Sequence, residues 1–167
     1  MLAQAGILSG FLIVAFMLVH AAVSDIASYR IRNWSLAIGA GAYLPVALVS
    51  GLPVATLVAS AAAAACVLAV GFALFCFNVI GAGDVKLAAV TVLWCGAEQA
   101  LPFLMNTALA GGLFAIGLLL ARRLAAKLGI TRLSVLGSLQ PGQRDVPYGV
   151  ALALGGFGVL PATAWMP

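Results

Sequence analysis

Apolar residues run along this chain in long blocks, and polar residues break the pattern at only a few points. The blocks cover about residues 6–23, 35–52, 54–79, 84–95, 101–121 and 147–165. Within them the apolar positions lie on every side of a helix rather than along one stripe, as expected where lipid surrounds the helix. The fourth block is short: at about 1.5 Å per residue it reaches roughly 18 Å, against a hydrocarbon core of about 30 Å. Either the bilayer thins there or the helix continues through Gly96 towards Ala100. The pattern predicts an all-α, polytopic integral membrane protein with about six transmembrane helices. No internal repeat or low-complexity linker divides it, so residues 1–167 form a single membrane-embedded domain. The alanine-rich centre of the third block (Ala61 to Ala65) and Gly111, Gly112 and Gly117 in the fifth are expected sites of close helix approach.

Composition strengthens this reading. Hydrophobic residues make up 65% of the 167 and charged residues 7%, more apolar surface than a soluble domain of this size can bury. The net charge of +4 is too scattered for a nucleic-acid patch. Cys66, Cys76 and Cys95 lie in apolar blocks with no metal-ligand spacing and are expected to be small buried hydrophobes. With one histidine and no such cluster, neither a metal site nor a cofactor is expected. Residues 1–23 lack the basic start of a secretory signal and are expected to remain as a helix.

Charge placement sets the topology. With six spans, Arg30 and Arg32 fall in the first connection, Lys86 at the third, and Arg122, Arg123, Lys127, Arg132 and Arg144 in the fifth. Those connections share one side, which the positive-inside rule makes cytoplasmic, with both termini pointing outward. Glu98 is alone on the opposite side. Tyr29, Trp34 and Tyr148 suit the headgroup belt, and Arg122, Arg123 and Lys127 suit a basic face on anionic lipid.

The same topology places Asp25 and Asp84 on one face. An acid at mid-bilayer costs roughly 2.5–3.5 kcal/mol on insertion scales, so such a residue reads as functional. Two nearby carboxyls share a proton; the ionised one takes a proton from water, while the protonated one polarises a peptide carbonyl. Asp84 opens a helix and Asp25 closes one, which by the helix dipole biases the shared proton towards Asp25. Gly81 and Gly83 flank Asp84, allow unusual φ values, and offer a side-chain-poor turn to an extended peptide. Lys86 reads as a snorkelling residue near enough to Asp84 to tune it or bind substrate. Asn33 is expected to pair with backbone at the junction after Asp25, Pro147 to start the last helix, and His20 to be a satisfied buried or interfacial side chain. Glu98 and Asp145 read as solvated. No HExxH or GxSG motif supports a zinc or serine chemistry.

Gly81-Ala82-Gly83-Asp84-Val85-Lys86-Leu87 resembles the GxGD signature of the type IV prepilin peptidases, aspartic proteases of the bacterial inner membrane. Asp25 followed by Arg30-Ile31-Arg32-Asn33 resembles that family's first-aspartate motif, with Arg32 where the family has proline. Val146-Pro147-Tyr148-Gly149 and Ala151-Leu152-Ala153-Leu154-Gly155 resemble its last-helix segment. The resemblance implies cleavage of short basic leaders from prepilin or pseudopilin precursors at the cytoplasmic face, with Asp25 and Asp84 as the acids. It implies no cofactor and no nucleic acid, and it leaves the particular pilin and the oligomeric state open. The compact form, without paired cysteines, resembles the short peptidases of tight-adherence (Flp) pilus and protein-secretion systems rather than the methylating members. The alternatives are a non-enzymatic carrier conducting protons or ions with the same acids, and an inert pilus-assembly scaffold. In a background lacking the three native cysteines, single cysteines at Ser28 and Asn78 are expected to react with an impermeant thiol reagent from the same side; labelling from opposite sides refutes the topology.

Overall fold

The computed structural model describes residues 1–127 and 147–165, so Arg132, Arg144, Asp145 and Val146 lie outside the described residues. Six helices follow one another: α1 (Leu2–Ser28), α2 (Asn33–Val49), α3 (Val54–Cys76), α4 (Ala82–Cys95), α5 (Ala97–Lys127) and α6 (Tyr148–Val159). A short 3-10 turn, Leu160–Ala162, closes the last of them. Among the described residues there is no strand. The apolar blocks therefore locate all six helices; α1 and α5 outrun their blocks at both ends, while α3 stops short of the end of its block. Helices α1, α3 and the 97–121 part of α5 are long and apolar enough to cross a membrane, while α2 and α6 are shorter apolar helices.

Backbone chemistry at the breaks explains the boundaries. Tyr29 caps α1 in the left-handed region (φ 51°), and its N–H donates to the Asp25 carbonyl at 2.8 Å. Gly51 takes φ 76°, and Pro53 then caps α3. Gly96 takes φ 90°, a value that glycine adopts without a Cβ penalty, and α5 starts at the next residue. The fourth helix therefore does not continue towards Ala100.

A short α4 is tolerable because of where it sits. It packs against each of the other five helices. Val85, Leu87, Ala88, Ala89, Thr91, Val92, Trp94 and Cys95 are buried along it. A helix enclosed by protein meets little lipid, so hydrocarbon thickness does not set its length. The outer helices carry the lipid-facing surface: Leu12, Phe16, Val58, Phe72, Leu109 and Leu113 are all exposed. Helix α3 buries only Leu57 and Ser60. Cys66 and Cys76 on it are exposed, contrary to the expectation from their apolar setting; Cys95 alone is buried. All-round hydrophobicity marks a membrane helix without telling which side faces protein.

At the end of α4 remote from Asp84, aromatic rings lock the bundle. Tyr43 lies edge-on to Trp94, with centroids 5.4 Å apart, and Trp94 lies 4.9 Å from Trp165. The Trp94 Nε1–H donates to the Gly39 carbonyl at 2.9 Å, and the Trp165 Nε1–H donates to the Trp94 carbonyl. Gly10 of α1 lies flat under the Trp165 ring, where a Cβ has no room. On α3 the tight approach is at Gly71, whose Cβ would stand 2.7 Å from Val85, and of the alanine-rich centre Ala63 and Ala64 pack on the core. In α5, Gly111 packs against Tyr148 and Ala151, while Gly112 and Gly117 have open space beside them. Trp94→Phe keeps a six-membered ring but loses the hydrogen bond to the Gly39 carbonyl, which stays in the α2 ladder. The lost bond is expected to destabilise the protein by about 0.5–1.5 kcal/mol, read as an earlier midpoint in an SDS unfolding titration.

Candidate active site

The C-terminal end of α1 and the N-terminal ends of α2, α4 and α6 meet at one edge of the bundle. Three contacts fix that meeting. Gly149 of α6 bonds to Asp25, Lys86 of α4 bonds to Asn33, and Gly83 of α4 lies on Ile31 in the α1–α2 junction.

Asp25 lies in the last turn of α1 and its side chain is 6% exposed. Its Oδ2 accepts a hydrogen bond of 2.7 Å from the Gly149 N–H. Gly149 is the second residue of α6, so its N–H has no acceptor within its own helix and is free to point outward. A Cβ at Gly149 would stand 2.9 Å from both Cβ and Oδ2 of Asp25, so only glycine lets the two backbones come this close.

Asp84 is the third residue of α4 and half-buried. Its carboxyl folds back on the backbone of Gly81, the N-cap of the helix, as a third-position acid in a capping box does. The carboxyl lies close enough to Asp25 for the charge of one to act on the other. The fold thus brings together two acids that stand far apart along the chain.

From sequence, the helix end at Asp25 is the negative end of α1 alone. The structure adds α6, whose positive end meets the same carboxyl through Gly149. A bias of the proton towards Asp25 therefore does not follow from the helix ends.

The supporting residues also behave differently from their expected parts. Gly81 has φ −71°, and the left-handed glycines among the described residues are Gly51 and Gly96, so neither Gly81 nor Gly83 is there for an unusual φ. Their use is close approach: a Cβ on Gly83 would lie 3.3 Å from Ile31, and one on Gly81 would lie 3.1 Å from Asp84 Oδ2. Among the described residues, Asn33 does not pair with backbone. Its Oδ1 accepts from the Lys86 Nζ at 3.2 Å, tying the start of α2 to α4 at the exposed rim. Arg30 and Arg32 are exposed in the junction. Pro147 is the N-cap of α6 and fully buried. His20 stacks on Phe16 and meets the edge of Trp34, and its buried Nδ1 lacks the partner expected of a satisfied histidine. Glu98 is exposed at the far end of the bundle.

Gly149 is the site residue that local sequence reasoning does not single out. A proline N-cap with a glycine two places on signals a helix start without side chains. Its acceptor lies 124 residues away, and no local pattern names it.

Two carboxyls gathered from different helices at one edge of an apolar bundle define a helical membrane protein with a two-acid site. The type IV leader peptidase family model matches residues 12–116, a stretch that contains both acids, and the chain belongs to that family. It is a peptidase of the kind that acts on prepilins. Neither curated proteins nor solved structures give a significant match. The matched stretch stops before α6, so the Gly149 contact comes from the fold alone.

Gly83→Val is expected to push Ile31 out of the junction and to cost about 1–3 kcal/mol. Ile31→Ala should relieve much of that cost, giving a coupling of about 0.5–3 kcal/mol in a double-mutant cycle of SDS unfolding. Additive effects of the two changes refute the packing role assigned to Gly83.

Proposed function

We propose that this chain is the aspartic endopeptidase that removes the leader peptides of Flp-like type IV prepilins at the cytoplasmic face of the bacterial inner membrane, with Asp25 and Asp84 as its catalytic pair. The observation that carries the reading is that both acids lie at the bundle edge that also bears Arg30, Arg32 and Lys86. A positively charged rim is the side that membrane insertion keeps in the cytoplasm.

The chemistry needs one proton between the two acids and one water. The carboxylate takes a proton from the water as its oxygen attacks the scissile carbonyl carbon. The carboxylic acid gives its proton to the carbonyl oxygen, so that no free oxyanion forms. Collapse reverses both transfers: the nitrogen of the leaving amine receives a proton, the C–N bond breaks, and the pair regains its single proton. A helical peptide bond is shielded by its own turn, so the substrate must be extended at the cut. The turn before Asp84, with Gly81 exposed, offers backbone to such a strand without side-chain obstruction. Lys86 and Asn33 stand at the rim beside it, bonded to one another.

The carrier reading uses the same acids but calls for them near the midplane among broken helices. Both acids here are within a turn of helix ends, which favours a reaction at a surface over passage through the bundle. Asp25→Asn and Asp84→Asn are each expected to lower processing of a co-expressed prepilin by at least ~100-fold at unchanged membrane levels. Undiminished cleavage by either variant refutes the paired mechanism. Acid-dependent ion flux in protein-loaded vesicles, without cleavage, establishes the carrier instead.

A further inference from the structure

We propose that Gly149 divides the labour between the two acids: its backbone N–H holds Asp25 as the ionised partner that takes the proton from water, and the shared proton is left on Asp84. The assignment rests on the peptidase reading above and deepens it. Gly149 does not touch the reacting atoms; it is a positioning residue acting through Asp25.

Three features of the geometry lead there. The Gly149 N–H to Asp25 Oδ2 separation of 2.7 Å falls at the short end of N–H···O bonds, where charge-assisted bonds lie. A donor aimed at that oxygen favours the carboxylate, whose oxygens accept more strongly than those of the neutral acid. The donor is also the second N–H of a helix, where the unpaired N–H groups and the helix dipole together favour negative charge. Finally, the contact depends on the missing side chain, because a Cβ would collide with Asp25 Cβ, Cγ and Oδ2 at 2.9–3.1 Å. Asp84, by contrast, is half-buried at the third position of α4, next to the exposed Gly81 turn offered to the peptide, and no N–H from another helix is directed at its carboxyl among the described residues.

Among the described residues, the neighbours of Asp25 supply no competing charge of the right kind; on α1 itself, His20 packs against Phe16 and Trp34. Helix α1 packs against α2, α4 and α6. From α2 comes no acid or base except Tyr43, which belongs to the aromatic cluster at the other end. From α6 comes only Tyr148, which is exposed. From α4 come Asp84, the proton-sharing partner, Lys86, engaged with Asn33 at the exposed rim, and Cys95 at the far end. Arg30 and Arg32 are exposed, and Tyr29 donates its N–H to the Asp25 backbone rather than to its carboxyl.

With roles assigned, the steps balance. Asp25 carboxylate removes a proton from water while Asp84 donates to the carbonyl oxygen, giving a neutral tetrahedral diol. As the C–N bond breaks, Asp25 passes its proton to the amine nitrogen and Asp84 takes one hydroxyl proton back. One water is consumed, and each acid returns to its starting state.

Tyr148–Gly149 is the one Tyr–Gly step in the sequence. Labelling tyrosine carbonyls with carbon-13 and glycine amides with nitrogen-15 therefore isolates the Gly149 amide of the intact wild-type chain in detergent. Its resonance is expected to move with pH through the lower of the two ionisations that bound cleavage activity, and to stop moving in Asp25→Asn. In Gly149→Ala, the loss of a donor that favours the anion should raise the acid limb of the pH–rate profile by about one pH unit and leave the basic limb in place. Cleavage by wild type with an amide that is silent, or that follows only the upper ionisation, overturns the Gly149 assignment alone. Failure of wild type to cut a purified prepilin overturns the peptidase reading and the division of roles with it.

Discussion

A carboxyl group removed from water must find hydrogen-bond donors near it, and two carboxyls removed together must also share a proton. That requirement shapes the end of the bundle where Asp25 and Asp84 lie. Asp25 is almost wholly buried, and the donor that meets it comes from the far end of the chain, at the start of α6. Asp84 turns back on the backbone of its own N-cap. Both arrangements use N–H groups that helix geometry leaves unpaired, so satisfying the acids costs no hydrogen bond elsewhere. A side chain at residue 149 would separate α6 from α1 and remove the donor together with the packing.

The rest of the architecture holds that edge in register. Helix α4 carries Asp84 at one end and Trp94 near the other, and it touches every other helix between. Its remote end is pinned by the Trp94 and Trp165 hydrogen bonds and by ring packing, which fixes its height relative to α1 and α2. Its near end is pinned by Ile31 on Gly83 and by Asn33 on Lys86. The enclosed helix thus behaves as a short strut on which the two acids are gauged. Lipid-facing breadth falls to α3 and the outer sides of α1 and α5, where large apolar side chains are exposed.

Much of this was legible in the sequence, for definable reasons. Long apolar runs interrupted by Gly51, Pro53 and Gly96 mark helix ends because backbone conformation is a local property. The acids stand out because charge within such runs is costly and rare. Burial within the bundle was not legible. When every face of a helix is apolar, periodicity carries no information about which face meets protein, and so Cys66 and Cys76 proved exposed and Gly112 and Gly117 unpacked. The shortness of α4 was legible but its reason was not: a span is measured against lipid only when lipid surrounds it.

By itself the sequence determined that the chain is an all-helical membrane protein, roughly where its six helices lie, and which acids lie in apolar surroundings. These follow from hydropathy, glycine and proline geometry, and charge, all of which act over a few residues. Only the tertiary structure decided that Asp25 faces the start of α6, that Asn33 answers Lys86, and that Gly83 serves Ile31 rather than an unusual φ. Each of those is a contact between segments remote in the chain, and the partner of a hydrogen bond or a close packing is fixed by how helices stack, not by neighbouring residues.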